Sequence, residues 1–407
     1  MKLLRAVGVF GTALISPCLI GAQEPAVIPP SRCAPEALIP PAVKSTLCTI
    51  SSTYHKPLHP IVRGIAPGGG LGAGLEYRGL FADRWHAGAS AVITVRESWS
   101  AEARGGYRGT VVRVEAFARG HDLPQLGFFG LGRESDLADH SNFRLRDWTA
   151  GGLASVRPLP WIVLGGRIEG IWPEVRSGRS SRFPSIESRF DDAGAPGLAV
   201  QPDFLRYQAL LDLEIPAAAG EALHQGAKFR IAYATYSDQQ LDRYSFSRLD
   251  LEAQQRFALF GPLRRLTLHG WLSTTHTDAG NEVPFYLQYT LGGKWNLLGV
   301  GEELIGSDGT QATLRGFRNF RFRDRNLLLL QAEYRFPVWG PIDATVFAEA
   351  GKVAARRADL DLTGLKRSGG FSVSLMRGPA TAIRVDVGFG GGEGVQAFFT
   401  IHREAIP

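Results

Sequence analysis

From about residue 70 to residue 403 the chain alternates apolar and polar side chains almost one for one. In Val112-Arg113-Val114-Glu115-Ala116-Phe117-Ala118-Arg119 the swap occurs at nearly every step, and Leu211-Asp212-Leu213-Glu214-Ile215, Arg248-Leu249-Asp250-Leu251-Glu252-Ala253 and Ile383-Arg384-Val385-Asp386-Val387 repeat it. Successive side chains of a strand point to opposite faces, so a period of two gives each segment one apolar and one polar face. About sixteen such segments of about ten residues are predicted, the length a tilted strand needs to cross a bilayer. They cover 71–79, 86–95, 97–107, 110–119, 142–156, 160–171, 203–215 and 227–236, then 244–259, 263–275, 284–293, 325–336, 342–353, 367–377, 381–390 and 394–403.

A soluble sandwich shows the same alternation. Segment length and the placement of aromatics favour a barrel in lipid. Trp99, Trp148, Trp161, Trp172, Trp271, Trp339, Tyr236 and Phe257 fall near segment ends, positions suited to aromatic girdles at the two membrane–water interfaces. Lipid offers the backbone no hydrogen bonds, so a spanning sheet must close on itself. Long inserts at 120–141, 172–202 and 294–324 alternate with short turns such as Gly261-Pro262, the asymmetry of outer loops and periplasmic turns. The expected fold is all-β: a transmembrane antiparallel β-barrel of about sixteen strands with both termini on the periplasmic side.

The first residues change the picture of where the chain resides. Lys2 and Arg5 precede an apolar stretch over 6–20, and Gly21 and Ala22 supply small residues before Gln23. Residues 1–22 therefore read as a secretory signal peptide. Past them no apolar run is long enough for a membrane-spanning helix. The mean hydropathy is close to zero, as in a barrel whose lipid-facing and lumen-facing residues cancel. Residues 23–64, rich in Pro, are expected to form a periplasmic tail or linker, and 65–407 the barrel. Cys33 and Cys48 are left in the mature chain; in an oxidising periplasm they either close a small disulfide loop or stand as two unrelated thiols.

The formal charge of +6 comes from Arg residues scattered singly among Asp and Glu. That is the pattern of a polar lumen and its loops, and nucleic acid is not an expected partner. No Cys/His spacing suggests a metal, and the glycines at 68–74 resemble a phosphate loop in composition only, since no helix follows them. His276-Thr277-Asp278 lies at an outer strand end without a nucleophile arrangement. No catalytic residue, metal or cofactor is assigned, and the chain does not read as an enzyme.

The most informative stretch is PFYLQYTLGG at 284–293, LRGF at 314–317, LLLLQAEYRFP at 327–337 and ATVFAEAGKV at 344–353. Parity on the last two puts Leu328, Leu330, Ala332, Tyr334 and Phe336 on lipid, and Gln331, Glu333, Arg335 and Glu349 in the lumen beside Thr345 and Phe347. Two inward carboxylates on neighbouring strands need a cation. Arg315, with its planar bidentate fork, can supply it, Gly316 permits close approach to the wall, and Phe317 can wedge against it. The alternative is that Arg315 is a solvated loop charge and the acids are ordinary lumen residues.

The ordered trio LRGF, AEYRFP and FAEAG resembles the barrel of the bacterial surface antigen superfamily, the outer-membrane assembly factors typified by BamA and TamA. FFGLGRES at 128–135 is similar to that family's F-x-G-x-G element, and the resemblance spans roughly residues 65–403. It implies a long loop folded into the lumen, tipped by Leu314, Arg315, Gly316 and Phe317, with Glu333, Glu349 and Gly351 as lumen partners. The family pattern usually has Asp where this chain has Glu349. It also implies an integral protein of the outer membrane of a Gram-negative-type bacterium, surrounded by outer-membrane lipids and assisting insertion or translocation of proteins, with unfolded outer-membrane proteins as clients. Such proteins usually carry periplasmic POTRA modules of about 75 residues; residues 23–60 are too few for one, so the part that captures clients is expected to be either missing or supplied by a separate periplasmic partner. The glycines at 67–74 and 388–394 are expected to flank the seam between first and last strands. The competing readings are a structural or surface-exposed barrel without insertase activity and, further off, an outer-membrane hydrolase.

Overall fold

The structure, a computed structural model, describes residues 56–67, 69–216, 224–261, 263–294, 313–377 and 380–401. Cys33 and Cys48, the segment expected to be a signal peptide and most of the Pro-rich segment lie outside the described residues. Eighteen strands are present among the described residues, and sixteen of them form one antiparallel sheet. In chain order the sheet begins with β1 (Leu58–Gly64), β2 (Leu71–Phe81), β3 (Trp85–Thr94), β4 (Trp99–Arg108), β5 (Val112–Phe128), β6 (Ser141–Leu159), β7 (Ile162–Ser177) and β8 (Phe204–Ile215). It continues through β9 (His224–Asp238), β10 (Phe246–Ala258), β11 (Arg265–His276), β14 (Asn326–Trp339), β15 (Ile342–Ala354), β16 (Lys366–Arg377), β17 (Ala380–Gly390) and β18 (Val395–Ile401). Two short strands, β12 (Tyr289–Leu291) and β13 (Phe322–Asp324), pair only with each other. The chain forms a β-barrel with a long loop turned inward.

The alternation translates into a barrel that is polar inside and apolar outside. On β7, Leu164 and Ile168 face out while Glu169 is buried; on β8, Tyr207 faces out while Arg206 is buried. Glu76, Glu115, Arg248, Asp250, Glu252, Arg384 and Asp386 are likewise buried, whereas Leu75, Ile93, Tyr233, Val346, Phe371 and Phe399 are exposed. In water such an arrangement would be unstable, because burying charges and exposing bulky apolar groups both cost free energy. In lipid the exterior is solvated by acyl chains and the interior charges pair with one another.

The strand count agrees with the sequence reading only because two differences offset each other. The segment 284–293 is not a barrel strand. Val283, Phe285, Tyr286, Leu287, Tyr289 and Leu291 are all buried, and this stretch, including β12, lies within the fold. Leu287-Gln288-Tyr289-Thr290-Leu291 alternates as a wall strand does, yet Gln288 and Thr290 are buried like their apolar neighbours, so the period does not separate a wall strand from a core segment. In its place β1 lies inside the segment expected to be tail, extending the barrel back to Leu58. Pro60 disguised it: proline lacks the N–H a central strand needs, but it is tolerated in a strand at the end of the sheet order. Leu58 and Val62 face out, while Ile61 and His59 face in, and His59 pairs with Glu76 across β2 at 3.3 Å.

Short connections after β2, β4, β6 and β14 occupy one end of the barrel, and those joining β5–β6, β7–β8 and β11–β14 occupy the other. Trp161 and Trp339 are exposed at the short-turn end, whereas Trp148 and Trp172 are exposed within β6 and β7, opposite each other in the register, and Trp99 packs on Trp148 with ring centroids 5.7 Å apart. Trp271 and Tyr236 are instead buried. Trp271 donates its indole N–H to Asp250 at 3.3 Å, and Tyr236 stacks on Phe246; both belong to the lumen because parity, not position along the strand, decides the face.

The face assignment on β9 is directly testable. In bilayers, a nitroxide at Tyr233 is expected to show high oxygen accessibility, and labels at the neighbouring Ala232 and Ala234 low accessibility. Equal accessibility at all three positions would contradict a lipid-facing wall.

Candidate functional site

The inward loop returns from β12 and enters β13 through residues 313–321, and its tip lies against the wall formed by β14 to β17. Leu314 and Phe317 are buried in a small apolar cluster with Trp271, Leu291, Phe322, Leu327, Leu329 and Val353, and Phe317 meets Phe322 edge-on with centroids 5.1 Å apart. These contacts leave Arg315 between them, fully buried, facing the wall.

Arg315 is surrounded by acids from three strands. Its Nε donates to Glu349 Oε1 at 2.7 Å and its backbone N–H to Glu349 Oε2 at 2.6 Å. Nη2 pairs with Glu333 Oε1 at 2.5 Å, and Nη1 donates to Asp386 Oδ1 at 3.1 Å. The guanidinium carbon lies 3.6 Å from the centroid of the Phe347 ring, so the cation is held by charge on its edges and by a π face. Two further cations complete the group. Arg384 Nε donates to Asp386 Oδ1 at 2.8 Å and its Nη2 reaches Glu333 Oε1 at 3.3 Å; Lys294 Nζ bonds Asp386 and Thr400 Oγ1. Three cations against three carboxylates give a cluster with no net formal charge, which is the arrangement that a site shielded from water favours. The remaining lone pairs are filled by Ser368 on Glu349 at 2.7 Å, Gln331 on Glu349 at 2.9 Å and Ser372 on Asp386 at 2.6 Å.

Glycines allow the tip to approach so closely. A methyl group on Gly316 would lie 2.4 Å from the backbone carbonyl of Phe389, and one on Gly388 would lie 2.3 Å from the carbonyl oxygen of Arg315. Backbone meets backbone here, leaving no flexible side chain to move aside. Gly388 and Gly390 thus serve as a seat for the loop, where the sequence suggested only a flank of the seam; Gly391, Gly392 and Gly394 form the following turn with positive φ. Glu393 in that turn accepts from Arg321 Nε at 2.5 Å. Gly351 does not meet the tip: it faces Leu291 of β12, where an added methyl group would lie 3.0 Å from the Leu291 side chain.

The FFGLGRES segment docks on the same loop from the opposite side. Gly132 N–H donates to Arg323 O at 2.8 Å, and Arg321 donates from Nη1 to Ser135 Oγ and from Nη2 to Ser135 O, each at 2.7 Å. Asp386, Arg384 and Lys294 were not singled out in sequence. The Arg384-Val385-Asp386 alternation does place both charges in the lumen, but parity says nothing about height along the barrel. His276 and Asp278 are exposed at the loop end of β11, 3.5 Å apart, away from this cluster.

Replacing Arg315 by Ala removes one of three cations and leaves buried acids unbalanced, and is expected to cost about 3–5 kcal/mol in folding stability. Arg315→Lys should recover only part of this, since an ammonium cannot serve several carboxylates in fork geometry. Gly316→Ala should undock the tip, whereas Gly270→Ala, with nothing nearer than 3.7 Å to the added methyl, should be tolerated. Urea unfolding followed by gel mobility measures all four.

No protein-family model matches the chain, and no curated protein matches it in sequence. Solved structures do match. The crystal structure of BamA from Haemophilus ducreyi lacking POTRA domains 1–3 aligns with a TM-score of 0.54 and 12% sequence identity, covering 84% of this chain and 67% of that chain. At that identity the likeness is one of fold: the chain forms a BamA-like β-barrel.

Proposed function

We propose that this chain is an integral outer-membrane barrel that assists insertion or translocation of other outer-membrane proteins, with its long loops outside and its short turns in the periplasm. The observation that carries this reading is the shortness of the first strand of the sheet. β1 has 7 residues, against 17 in β5 and 19 in β6. A strand of 7 residues spans only about 23 Å even when untilted. The apolar belt is therefore thin where the first strand lies, and a thin belt favours local thinning of the bilayer. Thinned lipid beside a sheet end lowers the barrier for another strand to enter and pair.

The plugged interior supports the same reading over an open diffusion pore, since the inward loop is pinned across the lumen by Arg315. No covalent chemistry is required. Clients would be unfolded outer-membrane proteins, and a separate periplasmic protein would deliver them to the short turns. The second reading, a structural barrel, draws on the same ion cluster, because a charge-balanced network also serves folding alone.

The test reconstitutes the purified full chain in liposomes and follows folding of an unfolded client barrel by its gel mobility, against empty liposomes. Acceleration is expected, and it should fall in a folded Arg315→Lys protein if the pinned loop takes part. No acceleration by a well-folded wild-type chain would show that the barrel does not act alone, leaving insertion with a separate periplasmic partner or the structural reading.

A further inference from the structure

A second polar site lies at the loop end of the barrel, apart from the Arg315 cluster. A cavity of about 610 Å³ opens there, and Arg96, Arg179, Arg182 and Arg318 line it with no carboxylate among the lining residues. The four come from separate parts of the chain: the β3–β4 turn, the loop after β7, and the inward loop just beyond its tip. Arg179 has an acid partner, Glu97 at 2.8 Å, but that carboxylate stands outside the lining. Arg318 keeps its Nε buried with no hydrogen-bond partner among the described residues.

The walls are built rather than incidental. Buried Asn142 donates from Nδ2 to the carbonyls of Phe183 and Pro184 at 2.8 and 2.9 Å, and its Oδ1 accepts from Ser180 N–H at 3.0 Å. Arg179 N–H donates to Pro124 O at 2.9 Å. The arginine-bearing loop is thereby strapped to β5 and β6. His140 fills one side, stacked between Phe129 and Phe183 with centroids 4.1 and 3.6 Å away. Burial, then the Arg318, Arg182 and Arg321 guanidinium groups, push its pKa down to about 4. The imidazole is neutral at physiological pH, so the positive charge of the site comes from guanidinium groups.

We propose that this cavity binds an anion carrying two or more phosphate groups. Guanidinium forks match phosphate oxygens in a bidentate fashion. Like charges gathered around a cavity repel one another, and a polyanion relieves that repulsion. A volume of about 610 Å³ also leaves room beyond a single phosphate, for a second one or a sugar. This inference does not depend on insertase activity. The ligand's source is either a phosphorylated lipid headgroup or a soluble polyphosphate.

The experiment uses the full chain in zwitterionic detergent, titrated calorimetrically with inorganic pyrophosphate. In a second arm it is titrated with micelles doped with diphosphorylated lipid A or with the same lipid after phosphatase treatment. Pyrophosphate is expected to bind, more weakly as salt is raised, and the double variant Arg182→Gln/Arg318→Gln should lose about tenfold or more in affinity. Arg157→Gln, at the short-turn end, should bind like the wild type. Arg182→Gln alone, whose guanidinium lies over the Phe183 ring, keeps the test informative if the double variant fails to fold. Tighter binding of the diphosphorylated lipid than of its dephosphorylated form identifies a headgroup ligand; binding of pyrophosphate alone identifies a soluble one. No binding of either probe, or unchanged affinity in the folded variants, overturns the proposal.

Discussion

A guanidinium without access to water, set among three carboxylates, is the interaction on which the interior of this barrel depends. The lumen wall has to be polar because the opposite parity of each strand is committed to lipid, and a polar wall in a closed tube accumulates charge with little solvent to screen it. Arg315 reaches the wall from a loop rather than from a strand. It joins Glu333, Glu349 and Asp386 on β14, β15 and β17 to a segment that otherwise has no part in the sheet. The surrounding features follow from that placement. The glycine seat lets the tip come close enough, the apolar cluster around Leu314 and Phe317 anchors it on either side of the arginine, and Arg384 and Lys294 bring the local charge to balance.

The same loop organises the end of the barrel with the long connections. From one side it is bonded by the FFGLGRES segment, and from the other by Glu393 in the last turn. Strands distant in sequence thus meet through it. The core of this protein is not the apolar sheet interior of a soluble sandwich but a set of loop segments packed inside a polar tube. Phe285 and Phe320 of these segments, with Phe128 and Phe143 from the loop ends of β5 and β6, are all buried in one apolar core.

Much of the fold was legible because a period of two is a local property. Each strand pattern, read alone, states which residues face out, and the positions of β7, β8 and β14 to β17 follow from it. What failed was information the pattern does not contain. Pro60 hid β1, since a strand at the sheet's end tolerates a residue that a central strand does not. The buried run from Val283 to Leu291 imitated a wall strand because Leu287 to Leu291 alternates as a wall strand does, although both of its faces are buried. Arg315, Glu333 and Glu349 could be brought together on parity and motif order. Asp386 and Arg384 could not, because their meeting with the tip depends on the stagger of strands accumulated around the barrel, a sum of registers that no single segment encodes.

Every wall residue of the ion cluster around Arg315 lies later in the chain than the tip itself, from Glu333 through Glu349 and Ser368 to Asp386, and Thr400 binds Lys294 in turn. The charged partners of Arg315 on the wall are thus all supplied by strands that follow it, while Ser135 and Trp271 meet the segment 313–321 from earlier in the chain. Arg315 therefore has no complete set of acids until β14 to β17 stand in register. A seated tip reports that the C-terminal third of the barrel is complete, and an unseated one leaves the lumen unplugged. The ion cluster thus ties the seating of the loop to the completed register of β14 to β17.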